Sequence, residues 1–232
     1  DMSKVNSSID FCIIATNAKC RLQVLKDLFA STSVRQLVLE KVLFQSVAQL
    51  QEASRLLASL ETKAWVNCPR RMFPIYQELQ KRLANEQTLN LQVRGSNWGL
   101  ACNAIHFIDL WAMLGGDQNY ALDTDGLDVT PVESKRPGYK EVSGTMTGTS
   151  GDSGFTLTST VGSETEPLSI RIETENFIVN VNESVGQCKI QTKETAEEEI
   201  LAFVVLYQSQ LSHEIGRQLF SSVSGHCTLT SF

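Results

Sequence analysis

Short apolar segments alternate with segments of helical periodicity along the first 88 residues of the sequence. The apolar runs at 10–16, 37–39 and 63–67 are rich in β-branched or aromatic residues, which is typical of strands buried on both faces. Apolar residues recur every three or four positions in the segments between and after them, which predicts helices. This β-α-β-α-β-α order predicts a parallel sheet covered by helices, with ligands bound at the carboxyl ends of its strands.

Polar side chains follow each of the three predicted strands. They are Thr16 and Asn17, then Glu40 and Lys41, then Asn67, Arg70 and Arg71. Because the carboxyl ends of parallel strands meet at one edge of a sheet, we expect these groups to lie close together. The guanidinium groups of Arg70 and Arg71 suit a carboxylate or phosphate of a substrate. A surface salt bridge is the alternative explanation for this arginine pair.

A second pattern, between Gly95 and Gly116, predicts a helix over residues 100–114 that is buried almost all round. Cys102, His106 and Asp109 share one face of this helix because they are four and then three positions apart. A buried imidazole and a carboxylate one turn apart must satisfy each other's hydrogen bonds or take part in chemistry. The pattern leaves both alternatives open.

The second half of the chain alternates apolar and polar residues, which predicts an antiparallel sheet with one solvated face. The predicted strands are 144–149, 154–161, 168–174, 176–181 and 187–192. Thr195 and Glu198 have the spacing of a capping box, which predicts a long final helix that begins there. Its apolar stripe would run from Ile200 through Tyr207 to Leu219.

Composition excludes several classes of function. A net charge of −6 argues against nucleic-acid binding. No apolar run approaches the roughly 20 residues that cross a bilayer, and the polar start has no signal-peptide core, so we expect no membrane association and a cytoplasmic location. Six scattered cysteines predict reduced thiols, and Asp123, Asp125 and Asp128 lack the ligand spacing of a calcium loop, so no metal site is expected.

The sequence lacks the Gly-rich turn, G-x-G-x-x-G, that binds a dinucleotide pyrophosphate. Doubly wound domains usually have more parallel strands than the three predicted here. We therefore expect that the chain is truncated at the N-terminus and at the C-terminus. The segment alone is expected to be inactive and to bind NAD(P) poorly.

The order of these pieces resembles the Gfo/Idh/MocA family, the glucose-fructose oxidoreductase and inositol dehydrogenase group of NAD(P)-dependent dehydrogenases. The matching pieces are a strand ending at Thr16 with Arg21 beyond it, LEKVLF at 39–44, the strand leading to Asn67 with the arginine pair, and GLACNAIHFIDL at 99–110. An antiparallel sheet and a closing helix follow, as they do in the family. The resemblance covers nearly the whole chain.

The resemblance implies hydride transfer between a nicotinamide ring and a carbon of a sugar or polyol. It implies catalytic roles for Lys41, the lysine of the family's E-K-P motif, and for His106, with Asp109 orienting the imidazole. The residues predicted to contact NAD or NADP are Thr16, Asn17, Glu40 and Lys41. Those predicted to contact the carbohydrate substrate are Arg70, Arg71 and Asn103. Two positions depart from the family pattern: valine replaces the proline after Lys41, and Cys102 replaces an aspartate.

The predicted architecture is therefore α/β followed by α+β. Residues 1–88 would form the C-terminal part of a Rossmann-type parallel sheet, and residues 89–232 a substrate-binding domain with a large, mostly antiparallel sheet and flanking helices. The family resemblance also implies a homo-oligomer that assembles through that sheet. Val42 and Cys102 favour the alternative function, which is a catalytically reduced sugar-binding or scaffold protein with the same fold.

Overall fold

A computed structural model describes residues 7–117, 119–135, 137–162, 166–221 and 230–231. The packing of the chain divides it into two units, of which the first comprises Asp1–Met72 with Tyr207–Phe232 and the second Phe73–Leu206. The predicted boundary after residue 88 therefore falls inside the second unit.

The structure contains five α-helices and fourteen strands among the described residues. The helices are α1 (Ala18–Ser31), α2 (Val47–Ala58), α3 (Pro74–Arg82), α4 (Leu100–Leu114) and α5 (Gln208–Ser221). The strands are β1 (Ile9–Ile14), β2 (Val34–Glu40), β3 (Lys63–Asn67), β4 (Asn90–Ser96), β5 (Ala121–Asp123), β6 (Val132–Glu133), β7 (Lys140–Glu141), β8 (Gly144–Ser150), β9 (Ser153–Thr160), β10 (Ser169–Glu173), β11 (Phe177–Asn182), β12 (Gln187–Thr192), β13 (Glu198–Ala202) and β14 (Thr230–Ser231).

The first unit is built on a four-stranded sheet in the order β1-β2-β3-β14. The first three strands run parallel and β14 pairs antiparallel with β3, so the predicted parallel sheet is confirmed. Leu22, Leu25 and Leu28 project from one side of α1 into the core, as their spacing predicts. Ser46 caps α2 by accepting a hydrogen bond from the backbone N–H of Gln49 at 3.2 Å. Leu50 shares the helical spacing of the buried Ala53 and Leu57 but is itself exposed.

The second unit is built on an eight-stranded sheet in the order β13-β12-β11-β10-β4-β9-β8-β5. Every pair of neighbours is antiparallel except β4 and β9, which run parallel. One face of the sheet carries the core residues of these strands, and α4 packs against β4 and β9. The opposite face is polar, with Gln92, Thr156, Arg171, Asn180 and Lys189 in successive neighbouring strands. This alternation is the one that the sequence predicts for a sheet with one solvated face.

The structure differs from the sequence-based predictions for two helices and adds a central strand that was not predicted. The strand β4 lies at the centre of the sheet, although only its flanking elements were predicted. The predicted long final helix begins at Gln208 and not near Thr195, because residues 198–202 pair with β12 as a strand. The helix α4 has the predicted bounds but is not buried all round, since Ile105 is 41% exposed.

The helix α3 also packs differently from a third helix of an α/β repeat. It begins at Pro74, because proline is favoured at the first position of a helix. Its Gln80 side chain donates a hydrogen bond of 3.0 Å to the carbonyl of Met113 on α4, and its Tyr76 hydroxyl donates one of 2.7 Å to Glu183. These contacts attach α3 to the second unit.

Among the described residues, no helix combines the length and the apolar character that a bilayer crossing requires.

A glycine-to-alanine substitution tests the packing of the second unit. A Cβ atom added at Gly148 would lie 2.2 Å from the Phe155 ring, which is itself held 5.3 Å from the ring centre of Trp111. We expect Gly148→Ala to lower the free energy of unfolding by about 1–3 kcal/mol, because the buried ring cannot move aside without overpacking its neighbours.

The matched control for this substitution is Thr147→Ala, on the opposite, polar face of the same strand. We expect it to change the free energy of unfolding by less than about 0.5 kcal/mol. Urea unfolding followed by tryptophan fluorescence measures both values. Equal stability of the two variants would contradict the packing described here.

Candidate functional site

The carboxyl ends of β1, β2 and β3 bring the predicted polar groups of the first unit to one edge of its sheet. Thr16 lies just beyond β1, Glu40 ends β2 with Lys41 directly after it, and Asn67 ends β3. The register of β2 and β3 places Glu40 opposite Asn67. The structure therefore brings Thr16, Glu40, Lys41 and Asn67 to one edge of the first unit's sheet.

A buried arginine fixes the loops at this edge. Arg21, in the first turn of α1, is 1% exposed. Its guanidinium donates hydrogen bonds to the carbonyl oxygens of Thr16, Val42 and Leu43, the last at 2.7 Å. A guanidinium can serve several acceptors at once because its N–H groups form a rigid fork. Arg21 thus connects the loop after β1 to the loop after β2.

The carboxylate of Glu40 accepts hydrogen bonds from three segments of the first unit. Its Oε1 accepts from the backbone N–H of Lys41 at 3.2 Å. Its Oε2 accepts from the side-chain amides of Asn67 at 2.9 Å and of Gln208 at 2.7 Å. The Lys41–Val42 peptide bond is cis, although valine does not favour that form as proline does.

The hydroxyl oxygen of Thr16 and the amide oxygen of Asn67 lie at this edge, are buried and have no hydrogen-bond partner among the described residues. Asn67 is only 6% exposed, so its amide oxygen is shielded from bulk water. Buried polar groups without partners carry a desolvation cost, and they often mark a position where a ligand or a bound water supplies the missing bond.

The other predicted residues of the first unit lie on the helices that follow β1 and β3. Asn17 caps α1, and its side-chain oxygen accepts a hydrogen bond from the backbone N–H of Cys20 at 3.3 Å. Arg70 and Arg71 lie half-buried in a short 3-10 helix, Pro69–Met72, that follows β3. Asn17 thus has a structural role in capping α1.

The second unit carries the predicted residues of the central helix. His106 and Asp109 are both buried on α4, with 7% and 6% exposure. Cys102 is half-buried one turn before His106. The Asn103 side chain donates a hydrogen bond of 2.7 Å to the carbonyl of Trp98, which closes the loop that leads into α4. Gly99 caps the helix in a left-handed conformation with φ of 76°.

Solved structures share this arrangement of a parallel sheet followed by a large mixed sheet. A dehydrogenase from Clostridium difficile superposes with a TM-score of 0.63 at 16% identity over 84% of this chain. UDP-N-acetylglucosamine 3-dehydrogenase from Acidithiobacillus ferrooxidans gives 0.62 at 15% identity over 89% of this chain, and 67% of that enzyme is covered. The chain therefore shares its fold with these two dehydrogenases.

The same fold also occurs in a transcriptional regulator. The transcriptional regulator Gal80p from Kluyveromyces lactis superposes with a TM-score of 0.65 at 14% identity, covering 91% of this chain and 65% of the regulator. The chain spans 63% of the length of the Clostridium dehydrogenase. No protein-family model matches the sequence, and no curated protein matches it significantly.

Arg21 and Gln208 make hydrogen bonds at this edge of the sheet, although the sequence predicted no role for either of them there. Arg21 shares the apolar stripe of α1 with Leu25 and Leu28, at positions i, i+4 and i+7. A charged residue on a buried stripe is a signal that could have identified it. Gln208 gives no such signal, because it is separated from Glu40 by 168 positions.

The described residues contain no group of three or more His, Cys, Asp or Glu side chains that could hold a metal ion. Five of the six cysteines are described and all five are free thiols, whereas Cys227 lies outside the described residues. Burial raises the pKa of the Cys188 thiol to about 11, which makes that group a poor nucleophile at neutral pH.

Removing the guanidinium of Arg21 tests its structural role. We expect Arg21→Met to lower the free energy of unfolding of the first unit by about 3 kcal/mol, because the buried carbonyls lose hydrogen bonds from a charged donor. Arg55→Met, at an exposed position of α2, is the control and is expected to be nearly neutral. Hydrogen exchange of the β2 amides at increasing urea concentration measures both effects. Equal protection in the two variants would contradict this role.

Proposed function

We propose that this chain is part of an NAD(P)-dependent oxidoreductase of the Gfo/Idh/MocA family that acts on a sugar or sugar derivative by hydride transfer. The observation that carries the proposal is the pair of buried, unpartnered atoms, Thr16 Oγ1 and Asn67 Oδ1, at the edge that also holds Lys41. Ligands of open parallel sheets bind at this edge. The fold shared with the two dehydrogenases supports the same assignment.

The residues at the strand ends fit a nicotinamide dinucleotide. Amide N–H groups and ribose hydroxyls of such a ligand can donate hydrogen bonds to the two unpartnered oxygens. Thr16, Asn17 and Lys41 would contact NAD or NADP directly. Glu40 would contribute by fixing the backbone of Lys41, because both of its oxygens already accept hydrogen bonds. When bound, the cofactor accepts or delivers a hydride.

The chain's own polar groups would then handle the reacting oxygen and its proton. The Lys41 ammonium would bind and polarise the oxygen on the carbon that is oxidised or reduced. His106 would take up or release the proton, since an imidazole is well suited to that exchange near neutral pH, and Asp109 would orient the ring. Asn103 would contribute a hydrogen bond to the substrate.

The paired guanidinium groups of Arg70 and Arg71 would bind an anionic group of the substrate. A nucleotide-linked sugar supplies such a group in its diphosphate, and bidentate contacts to phosphate are favoured by arginine. The dehydrogenase from Acidithiobacillus ferrooxidans is named for a substrate of this class. A sugar nucleotide is therefore one substrate class to be tested.

A second candidate function is supported by the two departures from the family motif. Val42 and Cys102 stand where the family has proline and aspartate, and the regulator Gal80p shares the fold. These observations favour a catalytically reduced protein that binds a sugar or serves as a scaffold. In either case we propose a cytoplasmic homo-oligomer that assembles through the polar face of the large sheet.

Cofactor binding tests the role of Lys41. We expect NADH to bind weakly to this chain and Lys41→Met to raise its dissociation constant at least about fivefold, which corresponds to about 1 kcal/mol. Lys63→Met is the matched control, because Lys63 begins β3 and therefore lies at the opposite end of the sheet's strands. Titration of NADH and NADPH followed by nucleotide fluorescence measures the constants. Equal constants for both variants and the wild type would contradict the assignment.

Turnover separates the two candidate functions. The dehydrogenase assignment predicts NADH formation from NAD in the presence of a hexose, a polyol or UDP-N-acetylglucosamine, measured by absorbance with the full-length protein. His106→Asn is expected to lower that rate at least about 100-fold through loss of acid–base catalysis, whereas His213→Asn on the exposed side of α5 is expected to leave it unchanged. If the protein instead binds a sugar without turnover, and Cys102→Asp restores turnover, the result would support the catalytically reduced, sugar-binding function.

A further inference from the structure

The Glu40 carboxylate links the end of β2 to a helix from a distant part of the sequence. Asn67 reaches Glu40 because the two residues are paired at the ends of neighbouring strands. Gln208 is the first residue of α5 and reaches the same oxygen, Oε2, at 2.7 Å. One donor to Glu40 Oε2 therefore comes from β3 in the sheet, and the other comes from α5.

The position of α5 in the first unit explains why Gln208 reaches this oxygen. Leu211, Ile215 and Leu219 form its buried stripe. The ring of Phe220 lies 6.2 Å from that of Phe11 on β1 in an edge-to-face arrangement. These apolar contacts dock α5 against the sheet and so bring its amino end to the carboxyl end of β2.

The loop after β2 is held on both sides of Lys41. Before it, the backbone N–H of Lys41 donates to Glu40 Oε1. After it, the carbonyl oxygens of Val42 and Leu43 accept from Arg21. The carboxylate can hold the Lys41 amide in one orientation only while its other oxygen is fixed, and Gln208 and Asn67 fix that oxygen through charge-assisted hydrogen bonds.

We infer that Gln208 is a positioning residue for Lys41 and acts through Glu40. The functional meaning of this inference rests on the proposed role of Lys41 at the ligand-binding edge. Without the Gln208 amide, Glu40 Oε2 keeps one donor and the carboxylate gains freedom to rotate. The Lys41 backbone then loses its fixed orientation, and its ammonium samples more positions.

A purely structural role for Gln208, in docking α5, has a different consequence. Loss of docking would expose the whole unit and affect all of its lysines alike. A positioning role affects Lys41 selectively. The acetylation rates of individual lysines, measured by mass spectrometry, therefore separate the two roles in the free protein without any cofactor.

The experiment compares Gln208→Ala with Gln210→Ala. The Gln210 side chain accepts a hydrogen bond from the backbone N–H of Tyr207 at 2.8 Å, so its loss weakens the same helical turn without removing a donor to Glu40. We expect Gln208→Ala to raise the rate of Lys41 acetylation by acetic anhydride at least about threefold relative to the rate for Lys63. A change of this size is expected because the substitution removes a hydrogen bond to a charged acceptor. Gln210→Ala is expected to leave that ratio unchanged.

Two results would overturn the inference. The first is an unchanged Lys41 rate in Gln208→Ala, and the second is an equal acceleration of Lys41 and Lys63. A parallel NADH titration separates this inference from the proposed function. If the wild type binds no NADH but Gln208→Ala still accelerates Lys41 acetylation selectively, the cofactor proposal fails and the positioning role of Gln208 stands.

Discussion

A single buried guanidinium organises the edge of the first unit's sheet where β1 and β2 end. Arg21 lies on the apolar stripe of α1, yet its side chain ends among main-chain carbonyls of two different loops. A charge in this position is tolerated only because those carbonyls replace the lost water. The loops after β1 and β2 are thereby held by one side chain. Thr16 and Lys41 take their places at the edge as a consequence, since each belongs to a loop whose carbonyls Arg21 holds.

The elements that the sequence predicted well are those with strong local signals. The bounds of α4 follow from an apolar stretch that ends at a glycine, and β3 from a short apolar run between polar residues. The choice between strand and helix at residues 198–202 was decided by tertiary pairing. Glu198 has the spacing of a capping residue, but in the structure it opposes Gln191 on β12 and forms an ion pair of 2.6 Å with Lys189. Local capping signals cannot report such cross-strand partners.

The candidate site shows the same limit at the level of single side chains. The strand-end rule located Thr16, Lys41 and Asn67, because strand direction alone determines where the ends meet. The rule could not distinguish a group that is available to a ligand from one whose hydrogen bonds lie within the protein. Glu40, which is predicted to contact the cofactor, also accepts hydrogen bonds from three donors within the unit. That distinction depends on contacts that are distant in sequence.

The first unit consists of two segments that are translated before and after the second unit. This order has a consequence for folding during translation. The second unit is one uninterrupted segment and can fold as soon as it has left the ribosome. The first unit cannot be completed at that time, because α5 is translated only after the second unit. During translation, the nascent β-α-β segment therefore presents the uncovered sheet surface around Phe11 to the folding machinery of the cell. Until α5 is translated, this apolar surface is a place where the nascent chain can aggregate.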